Sequence, residues 1–181
     1  MLGSAAVARE RPDEARLRRL FDAYFDYVWR LVRRLGVLDG LADDAAQQVF
    51  CVVAERLTEV EPRSEKAFLT GTAVRVAANQ RRAQRRRLEV PEDDAHPDPV
   101  DPGRTPEELV ELRRERALLD RALDALPSEL RAPFVLYELE DATLTEIAEL
   151  LEIPRGTVAS RLRRARAQFQ TAVRALTETS R

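Results

Sequence analysis

The chain has 181 residues, of which 44% are hydrophobic and 34% are charged, and its formal net charge is −2. This composition excludes a wholly disordered protein, and the length allows one ordinary core or two small ones. No apolar run reaches the roughly 18 residues of a membrane span, and the stretch from Met1 to Ala8 is too short for the apolar part of a signal peptide. With a single cysteine, the chain cannot form an internal disulfide, and we expect a cytoplasmic protein without membrane insertion.

The residue types that most enzymes need are scarce. His96 is the only histidine, it lies among acids and prolines, and no Gly-rich phosphate loop is present. The lone Cys51 falls in the apolar run 49–53, where we expect a small buried hydrophobe. The sequence therefore predicts no catalytic residue, no metal site, no cofactor and no small-molecule substrate.

Charge is distributed unevenly along the chain. Residues 1–87 carry a net charge of +5, residues 88–112 carry −8, and residues 113–181 carry +1. The stretch 89–103 combines four prolines with dense acidic charge, so it cannot hold a helix or a strand and should be extended. We therefore predict an all-α protein with two small helical domains, 12–87 and 105–176, joined by a flexible acidic linker, 88–104.

The first predicted domain contains three amphipathic helices. The first has apolar residues at alternating spacings of four and three and stops near Gly36. The second covers about 43–57, and the third begins after a polar loop, 58–63, at the capping residue Ser64. The apolar positions of the first helix are Leu17, Phe21, Tyr24, Val28, Leu31 and Leu35. Those expected to face inward from the second are Ala46, Val49, Phe50, Val53 and Leu57.

Arginines crowd the end of the third predicted helix. Arg81, Arg82, Arg85 and Arg86 share one side of it, and Arg87 follows. Such a cluster suits contact with nucleic-acid phosphates. A solvated helix end stabilised by the helix dipole is the alternative interpretation, and the cluster alone leaves both open.

The second predicted domain ends in a helix-turn-helix pattern. Capping boxes begin helices at Thr105 and Thr143, and the turn 152–154 leads into a helix from Arg155 to about Gln170. The inward face of that last helix consists of Val158, Leu162, Ala165 and Phe169. The opposite face, flanked by Arg155, Arg161 and Arg166, consists of Gly156, Ser160, Arg163, Arg164 and Ala167. Small, polar and cationic side chains on one side fit entry into a major groove, although an ordinary surface helix could also present them.

Here the sequence resembles bacterial sigma factors. The string Gly-Thr-Val-x-Ser-Arg-Leu-x-Arg-Ala-Arg over 156–166 is similar to region 4 of that family, and Asp-x-x-Gln-Gln-x-Phe over 44–50 is similar to Asp-x-x-Gln-Glu-x-Phe of region 2. Phe68-Leu69 stands where the family has Trp-Leu. The order of region 2, linker and region 4 resembles the extracytoplasmic-function (ECF) subfamily of sigma-70 factors, and the resemblance covers about Leu17 to Ala175.

The resemblance implies a sigma factor that binds core RNA polymerase, directs it to promoters and melts them. It implies contacts with the β′ clamp helices and the β flap, and with an anti-sigma factor as a further candidate partner. The residues implied for core binding are Asp44, Gln47, Gln48 and Phe50. Those implied for the −10 element are Arg63, Ser64, Phe68, Arg75, Asn79 and Arg82, with the loop 58–63 holding a flipped base. Those implied for the −35 element are Arg155, Thr157, Ser160, Arg161, Arg163 and Arg164.

Several positions depart from the family pattern. Phe68 replaces Trp, Arg75 replaces Asn, and Asn79 replaces Asp, all of which affect how the −10 element would be read. Gln48 replaces an acid on the core-binding helix, and Glu152 replaces the common Gly of the turn, which costs about 1 kcal/mol or more if that residue is left-handed.

Two other functions remain open from the sequence. A stand-alone helix-turn-helix regulator would explain the last helix without polymerase, but not the motif at 44–50. The other alternative is a helical protein that functions through protein–protein contacts. In that case the arginine-rich faces would be exposed to solvent and would not bind DNA.

Overall fold

The computed structural model describes residues 12–87 and 105–179, and this part of the chain contains helices and turns but no strands. The helices are α1 (Pro12–Arg34), α2 (Ala42–Arg56), α3 (Glu65–Arg87), α4 (Pro106–Asp124), α5 (Ser128–Glu138), α6 (Leu144–Leu151) and α7 (Arg155–Thr179). The all-α prediction is confirmed. The predicted linker, His96 and the first eleven residues lie outside the described residues. Among the described helices, none is long and apolar enough to cross a membrane.

Helices α1, α2 and α3, which we refer to as the first unit (12–87), pack against one another. Val28, Leu31, Val49 and Leu69 are fully buried where the three helices meet. Gly36 ends α1 with a φ of +94°, a left-handed conformation that glycine adopts without steric cost. The polar loop predicted between α2 and α3 consists mainly of two 3₁₀ turns, Leu57–Glu59 and Pro62–Ser64.

Two expectations about burial in the first unit are wrong. Phe21 belongs to the predicted apolar face of the first helix, but it is 39% exposed and covers the edge of the core, with its ring 5.0 Å from that of the buried Phe50. Cys51 was expected to be buried, but it is exposed. The buried side of α2 passes through Val49, Phe50 and Val53, so at 100° per residue Cys51 turns toward solvent despite its apolar neighbours.

Helices α4 to α7 form the second unit (105–179). Both predicted capping boxes are present: Thr105 accepts a hydrogen bond from the amide of Glu108, and Thr143 accepts one from the amide of Glu146. Helix α7 runs nine residues past its predicted end at Gln170. Phe169 stacks on Phe134 of α5 at 4.7 Å between ring centroids, and α7 also packs against α4.

The two units touch each other. Helix α3 of the first unit packs on α6 of the second, and buried side chains of both units belong to one continuous apolar cluster.

Candidate nucleic-acid interface

The first half of α7 divides into a buried and an exposed side. Val158, Leu162 and Ala165 are buried against the rest of the second unit. Ser160, Arg163 and Arg164 project from the opposite side and are exposed. The predicted division of this helix is therefore confirmed, and the exposed side is cationic and free of bulky apolar groups.

The turn between α6 and α7 fixes the position of this face. Glu152 caps α6 in the left-handed conformation, with φ 54° and ψ 43°, which is the condition under which its replacement of the common glycine has a steric cost. The carbonyl of Pro154 then accepts hydrogen bonds from the amides of Thr157 and Val158, at 2.8 and 3.1 Å, which starts α7. A tight turn with these backbone hydrogen bonds joins the C-terminal end of α6 to the N-terminal end of α7.

We expect Glu152→Gly to stabilise the protein by about 0.5–1 kcal/mol. A side chain in the left-handed region costs roughly 1–2 kcal/mol, and the greater freedom of glycine in the unfolded chain offsets part of that gain. Thermal unfolding of the full chain measures the change. Glu152→Ala is the matched control because alanine keeps the left-handed strain. Equal stability of the two variants would contradict the strain at this position.

The residues implied for the −35 element do not contribute equally to the exposed face. Arg155, Arg163 and Arg164 are exposed, and within the described part of the chain none of them forms an ion pair. Thr157 and Arg161 are half-buried at its edge. The hydroxyl of Ser160 donates to the carbonyl of Thr157 at 2.9 Å, so it must turn to reach a ligand. The residues implied for the −35 element thus form a surface with three exposed guanidinium groups that are not engaged in ion pairs within the described residues.

Arg166, which flanks that surface, is engaged within the protein. Its Nε donates to Glu138 at 2.6 Å, and its guanidinium lies 5.2 Å from the ring centre of Tyr137. The hydrogen bond that Arg166 donates to the Glu138 carboxylate raises the pKa of Arg166. Arg166 thus joins α7 to α5, whereas its neighbours Arg163 and Arg164 form no ion pair within the described residues.

The residues implied for the −10 element lie on two neighbouring elements. Arg75, Asn79 and Arg82 are exposed along one stripe of α3, and Nη2 of Arg82 donates to Oδ1 of Asn79 at 2.6 Å. Phe68 is half-buried at the start of the same stripe, with the guanidinium of Arg56 5.8 Å from its ring centre.

Arg63 and Ser64 lie in the 3₁₀ turn that precedes α3, and Arg63 is paired with Glu61 at 2.6 Å. The structure thus brings the implied −10 residues to one side of α3 and the turn before it. Helix α3 continues to Arg87 as predicted, but the side chains of 85–87 lie outside the described residues.

Sequence analysis missed the residue that holds this turn in place. Arg16 of α1 donates to the carbonyls of Leu57 and Val60, at 3.0 and 2.6 Å, and to the carboxylate of Glu65 at 2.8 Å. One planar guanidinium therefore ties both ends of the segment between α2 and α3 to α1. No local pattern marks Arg16, because its partners lie more than 40 residues away in the chain.

The residues implied for polymerase binding lie on α2. Asp44, Gln47 and Gln48 are exposed on one side of the helix, and Cys51 continues that side by one turn. Phe50 is only 5% exposed and packs with Phe21, so its place is in the support of this surface and not in the surface itself. The exposed side of α2 thus consists of polar or small side chains, and the aromatic pair of Phe21 and Phe50 lies at its border.

Comparison with known proteins agrees with this arrangement. Residues 116–169 match the family model for sigma-70, region 4. The chain is similar to the ECF RNA polymerase sigma factor SigE of Mycolicibacterium smegmatis, with 34% identity over 80% of this chain, although it spans only 56% of that protein's length. It is also similar to the ECF RNA polymerase sigma-E factor of Escherichia coli K12, with 30% identity over 92% of this chain and 91% of that one.

Two solved structures share the fold. One is CnrH in complex with the cytosolic domain of CnrY, with a TM-score of 0.60 and 19% identity over 88% of each chain. The other is the sigma factor RpoE of Bartonella quintana in complex with the anti-sigma factor NepR, with a TM-score of 0.62 and 16% identity over 87% of this chain and 96% of that one. The motifs, the fold and the near full-length relative from E. coli lead to one conclusion: this chain belongs to the ECF family of RNA polymerase sigma factors.

Proposed function

We infer that this protein is an alternative sigma factor that carries core RNA polymerase to a set of promoters in the cytoplasm. The second unit would read the −35 element with the exposed side of α7, and the first unit would bind and melt the −10 element along α3. The exposed side of α2 would dock on the β′ clamp helices, and the second unit on the β flap. The observation that carries this proposal is the free cationic side of α7 on a helix-turn-helix, combined with membership of the ECF family.

Charge supports a function that depends on polymerase. A protein with a net charge of −2 gains little long-range attraction to DNA, and each basic surface is small. Fixing both units on one scaffold makes the second DNA contact intramolecular, which raises avidity by about 10² or more. We therefore expect weak promoter binding by the free chain and tight binding by its complex with core polymerase.

The test is a binding and transcription assay with purified components. Selection from a promoter library with core polymerase should recover DNA that shares two separated elements, and the free chain should bind the same DNA at least about 100-fold more weakly at physiological salt. Tight and specific binding by the free chain, on a palindrome and as a dimer, would instead identify a stand-alone regulator. Transcription that does not depend on the added chain would overturn the proposal.

A further inference from the structure

A small cavity lies between α3 of the first unit and the start of α5 in the second. It has a volume of about 170 Å³ and is lined by Ala78, Arg81, Arg82 and Ser128, so no acid belongs to its described lining. Ala78 precedes the two arginines by three and four residues, which places all three side chains on one side of α3. The cavity therefore has two guanidinium groups on one wall and the N-terminal end of a helix on the other.

The two arginines of the cavity are oriented by hydrogen bonds within the first unit. Nη1 of Arg81 donates to the carbonyl of Leu35 at 2.8 Å, and Nη2 of Arg82 donates to Oδ1 of Asn79 at 2.6 Å. A guanidinium has five N–H donors in a rigid fork, so one such bond orients the group without using all of its donors. Side chains that are already ordered lose less conformational entropy when a ligand binds.

The opposite wall is the positive end of α5, whose first residue is Ser128. The first amides of a helix have no acceptor within it, and together with the helix dipole they attract anions. The N-cap residue of α5 is Pro127, whose side chain has no acceptor for these amides. The N-terminal end of α5 thus adds backbone donors and partial positive charge to the two guanidinium groups.

A third guanidinium lies next to the cavity with an unsatisfied donor. Arg131, one turn after Ser128 on the same side of α5, is only 8% exposed, and its Nε has no hydrogen-bond partner among the described residues. A Cβ added at Gly36 would lie 2.6 Å from Nη1 of Arg131 and 3.3 Å from Cδ of Arg81, so the two arginines approach the same point. A buried charged donor without an acceptor is costly, and a nearby anion would relieve that cost.

Two further observations show that this region lacks negative charge and acceptors. Nε2 of Gln84, one turn after Arg81 on α3, is also buried without a hydrogen-bond partner in the part of the chain that the structure describes. Burial lowers the pKa of Arg131, the carboxylate of Asp124 raises it, and the positive charge of Arg33 lowers it. The Asp124 side chain is 57% exposed, so solvent weakens the compensation that this acid provides.

We propose that the cavity binds a small anion with a phosphate or diphosphate group, held by Arg81, Arg82 and the N-terminal end of α5, with Arg131 beside it. At roughly 30 Å³ per water, the cavity has the volume of five or six water molecules, which suits an ion of this size. Guanidinium groups match phosphate oxygens because they donate two parallel hydrogen bonds. Free diphosphate and the diphosphate group of a nucleotide share this chemistry.

The ligand and promoter DNA would compete for Arg82, an expectation that rests on the proposed function. Arg82 is among the residues implied for the −10 element, and its donors cannot serve two phosphate groups at once. An anion in the cavity should therefore weaken promoter binding, and promoter DNA should weaken binding of the anion by the same factor.

Calorimetric titration of inorganic pyrophosphate, the free diphosphate ion, into the full-length chain tests the site. We expect one ion per chain, with a Kd below about 1 mM at physiological salt. A titration with sodium chloride over the same range of ionic strength is the control and should show no saturable binding. Absence of saturable pyrophosphate binding, or binding of several ions per chain, would overturn the proposal.

Three variants locate the binding site. Ala78→Leu fills the cavity without changing the charge and keeps a good helix former in α3, whereas Arg82→Ala removes one lining guanidinium at an exposed position. Each should weaken pyrophosphate binding by about tenfold or more, the usual effect of losing a hydrogen bond to a charged group. Arg19→Ala removes the same charge from an exposed position of α1 and should keep the affinity of the unchanged chain.

The variants also exclude a general effect of charge or folding. Thermal unfolding without pyrophosphate shows whether Ala78→Leu is folded, and the exposed position of Arg82 makes Arg82→Ala the second, independent test. Unchanged affinity in Arg82→Ala, or an equal loss in Arg82→Ala and Arg19→Ala, would overturn the assignment of the site.

A comparison of probes identifies the source of the phosphate. ADP that binds at least as tightly as pyrophosphate indicates a nucleotide, and weaker binding of ADP indicates the inorganic ion. A short single-stranded DNA that binds the free chain more tightly than either, and that Ala78→Leu no longer binds, would make the cavity part of a nucleic-acid surface. That result would overturn the proposal of a small ligand.

Promoter binding separates this proposal from the proposed function. In the absence of nucleoside triphosphates, pyrophosphate should lower the promoter affinity of polymerase with the unchanged chain more than that of polymerase with Ala78→Leu. Pyrophosphate binding by a chain that never confers promoter binding would support the cavity and count against the sigma function. Promoter affinity that responds equally to pyrophosphate in both complexes would overturn the competition for Arg82.

Discussion

Replacing Arg163 and Arg164 together by alanine should abolish most transcription from promoters that depend on a −35 element. Both guanidinium groups are exposed on α7, and within the described residues neither is committed to an ion pair. An arginine that contacts a base edge contributes about 1–3 kcal/mol, so losing two should lower promoter binding by about 100-fold or more. In vitro transcription with core polymerase and the full chain measures the loss.

The matched control for this double variant is Arg113→Ala with Arg114→Ala. These two arginines are also adjacent and exposed on a helix of the second unit, α4, so the control removes the same charge from a different surface. It should leave transcription close to normal. If the two double variants lost activity equally, net charge and not the α7 surface would be responsible. The salt dependence of binding adds detail, because each lost phosphate contact lowers the slope by about one.

Arg16→Ala should destabilise the first unit by about 2–3 kcal/mol and loosen the segment between α2 and α3. The Arg16 side chain is mostly buried and donates to two carbonyls and one carboxylate, and its loss leaves those acceptors without their charged partner. In a unit of this size the melting temperature should fall by about 10 °C or more. Hydrogen exchange of the backbone amides in residues 57–64 should accelerate by a larger factor than hydrogen exchange of the amides in α1.

Two further variants show whether the forked geometry of Arg16 matters. Arg16→Lys keeps the charge but cannot donate to three acceptors in one plane, so its stability should fall between those of the unchanged chain and the alanine variant. Arg19→Ala removes an exposed arginine of the same helix and should change stability by less than about 0.5 kcal/mol. Equal effects at 16 and 19 would show that the contacts of Arg16 contribute nothing of their own. In the proposed function, loss of promoter melting should accompany the loosened segment.

Helix starts and helix faces could be predicted from sequence because they depend on residues close together in the chain. Thr105 and Thr143 cap their helices with a glutamate three residues on, and both boxes form as expected. The exposed side of α7 follows from helical periodicity, since Val158, Leu162 and Ala165 recur on one face. Periodicity also contained the correct placement of Cys51, although the apolar run around it obscured that signal.

Contacts between distant residues could not be predicted, because each partner is ordinary when considered alone. Glu140 is one acid among many, and only the fold brings Tyr27 and Arg34 around it. Arg16 is likewise one of several arginines in α1. Phe21 sits at a helical apolar position, yet it is 39% exposed. Helix α7 extends past its predicted end at Gln170, and it packs on α4, a contact between distant parts of the chain that no local signal reveals.

Lysine is almost absent from this protein, and its position has a practical consequence. Lys66 is the only lysine in the chain, and it lies in the first turn of α3 beside Tyr27. A protease that cuts after lysine therefore has a single target bond, inside a helix that must unwind locally before cleavage. When reclosing is fast compared with cleavage, the rate of appearance of two fragments measures the equilibrium opening of that turn. Cleavage after Lys66 in the unlabelled, unmodified protein therefore reports local unfolding of the first turn of α3.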